Sequence, residues 1–239
     1  MQKLIGKMAR TYPLFIVMGF MIVVTAFVVG YLNSQAAAAY FAESKVVRET
    51  TLMVQRATIE SVGLWLPYFK FLGIGLILRG IVMALRVIID ALKGAGNQVL
   101  ANLPEGKRPA LPATPWYGLW MPVVMMLGLT MFVVALIVSI DLAGIAQALF
   151  AHPLPEIDAA GTGSVLLVQV QAIHSTLAWL IPLKFFAIAT EFLAIAMGLS
   201  TIIYILSNQT EMIDKGIQLG RSMMQGNAKV ENKHERVPA

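Results

Sequence analysis

The stretch Ile59–Ile89, IESVGLWLPYFKFLGIGLILRGIVMALRVII, returns 114 positions later as Ile173–Ile203, IHSTLAWLIPLKFFAIATEFLAIAMGLSTII. Twelve of the 31 aligned positions are identical, among them Ser61/Ser175, Trp65/Trp179, Leu66/Leu180, Lys70/Lys184 and Phe71/Phe185. Two apolar segments of this composition share about three positions by chance. A Trp and a Lys at matching positions are not explained that way, so the chain reads as a duplicated unit. The segment upstream of each copy pairs as well, at an offset of 109: Gly19 falls on Gly128, Val24 on Val133, Ala26 on Ala135, Phe41 on Phe150 and Ala42 on Ala151. Five extra residues in the second intervening loop restore the offset of 114.

Composition says where such a unit lives. The 239 residues are 58% hydrophobic and 13% charged, with a mean hydropathy of +0.74. A soluble surface takes about 25% charged residues. Runs of about 20 apolar residues therefore read as transmembrane helices, because a hydrocarbon core of about 30 Å needs that many at about 1.5 Å each. Four such runs are present: Pro13–Leu32, Val62–Ile89, Trp116–Ile140 and Ala172–Leu206. None alternates with a period of two, so helix is the expectation for each. The absence of cysteine excludes disulfides, thiolate metal sites, iron–sulfur clusters and cysteine nucleophiles.

Basic residues set the expected orientation. One side collects Lys3, Lys7, Arg10, Lys93, Lys107, Arg108, Lys215, Arg221, Lys229, Lys233 and Arg236, with Arg79 and Arg86 snorkelling towards it. The other holds Lys45, Arg48 and Arg56 in the first loop, and Asp141, Glu156 and Asp158 with no Lys or Arg in the second. Both termini are expected in the cytoplasm, with the membrane being the bacterial inner membrane. The net charge of +5 then reports topology and gives no reason to invoke nucleic acid. The basic start and the Ala36–Ala39 stretch imitate a signal peptide, but the apolar run exceeds the roughly 7–15 residues of a signal h-region, so the first span is expected to be retained.

The resulting expectation is an all-α integral membrane protein: four transmembrane helices as two parallel-repeat hairpins, related by an axis along the membrane normal. Residues 1–92 form the first hairpin and 93–115 a cytoplasmic linker rich in Gly and Pro, which cannot run as one helix. Residues 116–206 form the second hairpin, and 207–239 a cytoplasmic amphipathic helix and disordered tail. Ser34–Glu60 lacks Pro and Gly and should extend the membrane helices outward as a helical hairpin. His152–Gly163, with two Pro and two Gly, should be looser. Beyond Leu206, Met212, Ile213, Ile217 and Met224 fall near one face, the pattern of an interfacial helix.

Charges inside the spans are the candidate functional residues. Lys70 and Arg79 are nine steps apart, about 13.5 Å along a helix, too close to reach opposite interfaces. The repeat register puts Glu191 on Ile77, two residues from Arg79, and an Arg79–Glu191 ion pair between the second and fourth spans is the expectation. The alternative has Arg79 snorkelling and Glu191 protonated or facing water. Lys70 and Lys184, each five residues inward from an interfacial anchor (Trp65, Trp179), either snorkel outward or form an anion or lipid-phosphate site near the repeat axis. Gly73, Gly75 and Gly80 fall on Ala187, Ala189 and Ala194, small residues suited to close packing of the second and fourth helices. The fourteen Met read as adaptable packing. His152 and His174 lack the spacing of metal or haem ligands, and His152 with Asp141, Glu156 and Asp158 reads as a solvated acidic loop rather than a cation site.

No nucleotide, protease, quinone or hydrolase motif is present. A non-enzymatic multi-pass protein without a cofactor follows, serving as a structural, accessory or assembly subunit of a larger membrane complex. Its partners would be membrane lipids and other membrane subunits, or further copies of itself. The alternative is a small oligomeric transporter or channel using Glu191/Arg79 and Lys70/Lys184. A haem- or quinone-bearing redox subunit ranks last.

Overall fold

The computed structural model describes residues 11–101 and 113–234. Six helices follow one another: α1 (Tyr12–Ala42), α2 (Lys45–Thr50), α3 (Met53–Ala101), α4 (Trp116–Leu149), α5 (Leu154–Asp158) and α6 (Val165–His234). No strand occurs among the described residues. Helices α1, α3, α4 and α6 are each long and apolar enough to cross a membrane, so the chain is an all-helical membrane protein. Several residues used for the orientation, Lys3, Lys7, Arg10, Lys107, Arg108 and Arg236, lie outside the described residues, as does the middle of the 93–115 segment.

Local chemistry sets the breaks. Pro13 opens α1, where a missing N–H costs nothing. Glu43 ends it in an extended conformation, and the Ser44 hydroxyl accepts from Val47 N–H to start α2. Extended Pro115 precedes α4. Gly163, at φ 86°, turns the chain into α6 in the left-handed region that favours glycine. Pro67, Pro122 and Pro182 sit inside long helices, which membrane spans tolerate where neighbouring groups compensate the lost hydrogen bond.

The helices do not share the packing equally. Helix α1 has α3 as its one substantial neighbour, whereas α3, α4 and α6 all pack on each other. Burial along α4 repeats at heptad spacing through Met121, Met125, Gly128, Phe132, Ala135, Ser139, Leu142, Ala146 and Leu149. On α1 only Gly19, Ala26 and Tyr40 are buried, and Phe20, Phe27 and Leu32 on its other faces are open. One core cluster holds Val82, Met83, Met121, Met125 and Ala194; a second holds Tyr68, Ala135 and Leu180.

Lipid tails are as apolar as these side chains, so close backbone approach rather than hydrophobic burial must hold the helices together. Glycine supplies the approach. A Cβ on Gly19 would lie 2.5 Å from the Gly73 carbonyl oxygen, and one on Gly80 would lie 2.5 Å from Ile16. One on Gly118 would meet Thr201 at 2.7 Å. The small residues read from the sequence are therefore distributed differently than expected. Gly73 and Gly80 face α1, Gly75 faces Phe132 of α4, and Ala189 is exposed; only Ala187 and Ala194 of α6 are buried. A helix joined by a short connection competes first for its neighbour's small-residue face, and α1 takes that of α3.

Polar ties close both ends. At the α2 end, Asn33 Nδ2 donates to the Ile59 carbonyl and Gln55 Nε2 to that of Ala36. Arg48 lies over Tyr40 and Phe41, and Arg56 over Phe150. At the opposite end Gln209 Nε2 donates to the Leu92 carbonyl at 2.7 Å and Lys93 Nζ to Thr114 Oγ1 at 2.6 Å. These ties accompany two departures from the sequence reading. Helix α3 continues through Gly94 and Gly96 to Ala101, since a helical Gly costs only about 1 kcal/mol. Helix α6 runs unbroken for 70 residues, past Leu206 and past Gly226, where an interfacial helix and a disordered tail were expected.

Candidate functional site

The charged residues of the spans meet the bundle in different ways. Glu191 on α6 is fully buried, at 0% exposure, and lies against Gly128 of α4. A Cβ at position 128 would stand 3.0 Å from the Glu191 Cγ and Oε1 and 3.1 Å from its Cδ. The missing side chain of Gly128 is thus the slot in which the carboxyl group sits. Neither carboxyl oxygen has a hydrogen-bond partner among the described residues. The buried hydroxyls of these helices behave otherwise: Ser139 donates to the Leu136 carbonyl, Thr190 to Phe186 and Thr201 to Met197. Buried polar groups are satisfied as a rule, and Glu191 is the one carboxyl group among the described residues whose two oxygens are both buried without a partner.

Arg79 on α3 is also buried, at 7% exposure, and its guanidinium carbon is 4.8 Å from the centre of the Phe15 ring on α1. Its Nε has no hydrogen-bond partner among the described residues. Arg79 and Glu191 lie on packed helices, each three residues before a member of one core cluster, Val82 and Ala194. They do not close the expected ion pair, because the Glu191 oxygens accept nothing and the guanidinium rests on Phe15. The quadrupole of that ring gives a cation in low dielectric about 2 kcal/mol or more. Phe15 was not singled out from the sequence. Gly128 was visible there as the repeat partner of Gly19, and nothing but the register of Glu191 with Ile77 connected it to the acid.

The same register recurs in the first hairpin. A Cβ on Gly19 would lie 2.8 Å from Ile77 Cγ1, so Gly19 faces Ile77 as Gly128 faces Glu191. The corresponding position is aliphatic in one hairpin and acidic in the other.

The two Lys are treated unequally. Lys184 Nζ lies 5.5 Å from the Tyr68 ring, 5.4 Å from Phe71 and 5.2 Å from Phe185, an aromatic box for the ammonium. Phe71 and Phe185, 114 positions apart, meet edge to face at 6.4 Å. Lys70 instead lines an open groove between α1 and α3, with Phe71 as the ring common to groove and box. Trp65 is half-buried against Phe69, and Trp179 is exposed. His174 is exposed, and His152 Nδ1 lies 3.3 Å from Glu156 Oε1. Among the described residues no three His, Asp or Glu gather as a metal site would require. Comparison with known protein families, with curated proteins and with solved structures finds no match for this chain.

Proposed function

We propose that this chain is a non-enzymatic accessory or assembly subunit of a larger complex in the bacterial inner membrane, with both termini in the cytoplasm. The observation that carries this reading is the length of α6. At 1.5 Å per residue its 70 residues span about 105 Å, against a hydrocarbon core of about 30 Å. The helix shows no break at Leu206–Gln209, where a turn into the interface would be placed. A helix continuing out of the membrane, with an apolar stripe written in its sequence, offers a surface for another subunit. The paired slots Gly19/Ile77 and Gly128/Glu191 support the parallel-repeat reading of the two hairpins. Purification of the tagged chain in mild detergent should yield a second membrane protein at fixed stoichiometry, lost when the chain is cut after Met212. A partner-free, monodisperse preparation from native membranes would refute the proposal.

One observation favours a second reading, an oligomeric transporter or channel. Glu191 is a buried carboxyl group without a hydrogen bond, and intramembrane acids commonly mark ion or proton paths. Reconstituted protein should then show a flux that Glu191→Gln abolishes while the fold persists.

A further inference from the structure

The groove between α1 and α3 has a volume of about 690 Å³ and is lined by Val23, Ala26, Phe27, Tyr31, Ser34 and Lys70, among others. Pockets for small ligands run from roughly 300 to 1,000 Å³. From Val23 to Ser34 the α1 wall covers eleven steps, about 16.5 Å, or half a hydrocarbon core. Its polarity is graded. Val23, Ala26 and Phe27 make an apolar wall towards the middle of the helix, and Tyr31 and Ser34 bring hydroxyl groups at the α2 end. No acidic residue lines it.

Lys70 is the cation of this groove. Gly19 packs on Gly73 and Ile77, and Gly30 on Leu66, which sets the Lys70 backbone at about the level of Ala26. A Lys stem carries its ammonium along an apolar surface about one helical turn, bringing it towards Tyr31. Unlike Lys184, it has no ring, carboxylate or hydroxyl partner among the described residues. The Tyr31 hydroxyl accepts from Gln35 Nε2 at 2.6 Å, which leaves its own proton free to donate. A cation at this depth needs a counter-charge or a route to water, and the solvent on this face of α1 is lipid.

We propose that this groove binds one anionic phospholipid of the leaflet at the α2 end. An acyl chain lies along Val23, Ala26 and Phe27, and the phosphate accepts hydrogen bonds from the Lys70 ammonium and the hydroxyls of Tyr31 and Ser34. The site belongs to the first hairpin alone, because the equivalent Lys of the second is enclosed by aromatic rings.

Native mass spectrometry of the full chain, equilibrated with phosphatidylglycerol or phosphatidylcholine in mild detergent, tests this. One phosphatidylglycerol should be retained at least tenfold better than phosphatidylcholine. Lys70→Met should abolish that preference, Lys70→Arg should keep it, and Lys184→Met should leave it unchanged. If Lys70→Met fails to fold, the exposed double variant Tyr31→Phe/Ser34→Ala provides the test, with an expected three- to tenfold loss. Equal retention of both lipids, undiminished preference in Lys70→Met or in the double variant, equal loss in Lys184→Met, or displacement by inorganic phosphate would each overturn the assignment.

Discussion

The two hairpins place a glycine against the same register position of the facing helix and do opposite things with it. In the first, Gly19 of α1 meets the backbone of Gly73 and the aliphatic Ile77 on α3. In the second, Gly128 of α4 meets the carboxyl group of Glu191 on α6. The Lys residues diverge in the same manner, with Lys184 boxed by rings and Lys70 facing a groove. The small-residue contact that lets two helices approach is common to both hairpins, whereas the polar group set into it is not. Packing and chemistry at one position are therefore separable here.

The comparison breaks most sharply at the glycines. Gly19→Ala forces a methyl onto the Gly73 carbonyl oxygen, which cannot rotate away, and should cost about 1–3 kcal/mol or separate α1 from the bundle. Gly128→Ala presses on a flexible Glu side chain and should cost less; thermal unfolding of both variants in detergent checks the order. Equal losses would mean that the two contacts are not distinguished by what they touch. Next, Lys184→Met should lower stability by about 0.5–2 kcal/mol through loss of the aromatic box, whereas Lys70→Met should leave the unfolding midpoint unchanged. A double-mutant cycle on Arg79→Gln and Glu191→Gln should give a coupling near 1 kcal/mol, below the 3–5 kcal/mol lost when a closed buried pair is broken. A coupling in that higher range would show that the pair closes in the membrane. The smallest effect is expected for Gln209→Ala, about 0.5–1 kcal/mol for its hydrogen bond to Leu92, with α3 fraying from Leu92 onward in hydrogen exchange.

Much of the fold is legible in the residues because a bilayer leaves few choices. Runs such as Trp116–Ile140 have no polar alternative to a helix, and their number follows from length, whereas the ends of α3 and α6 do not. The nearness of Arg79 and Glu191 is legible too, through the shift of 114. What Arg79 touches is not. Its choice of Phe15 depends on α1 packing against the Gly73/Gly80 face of α3, a tertiary outcome that no periodicity within α3 encodes. The continuation of α3 through Gly94 and Gly96 escaped for a related reason: the local penalty is visible, while the hydrogen bond from Gln209, 117 positions away, is not. Lys70 and Lys184 share the Trp-Leu before them and the Phe after them, and part through their spatial neighbours, Tyr68, Phe71 and Phe185 for Lys184 and the α1 wall for Lys70.

The near-exclusive attachment of α1 to α3 has a consequence for biosynthesis. Phe15, which shelters Arg79, lies in the same hairpin as that arginine, and Gly128, which shelters Glu191, lies in the same hairpin as that acid. The two buried charges, Arg79 and Glu191, are thus each met by the long apolar helix made before their own. The contacts between α1 and α3 need nothing from the second hairpin, so neither buried charge has to wait in lipid for a helix not yet made.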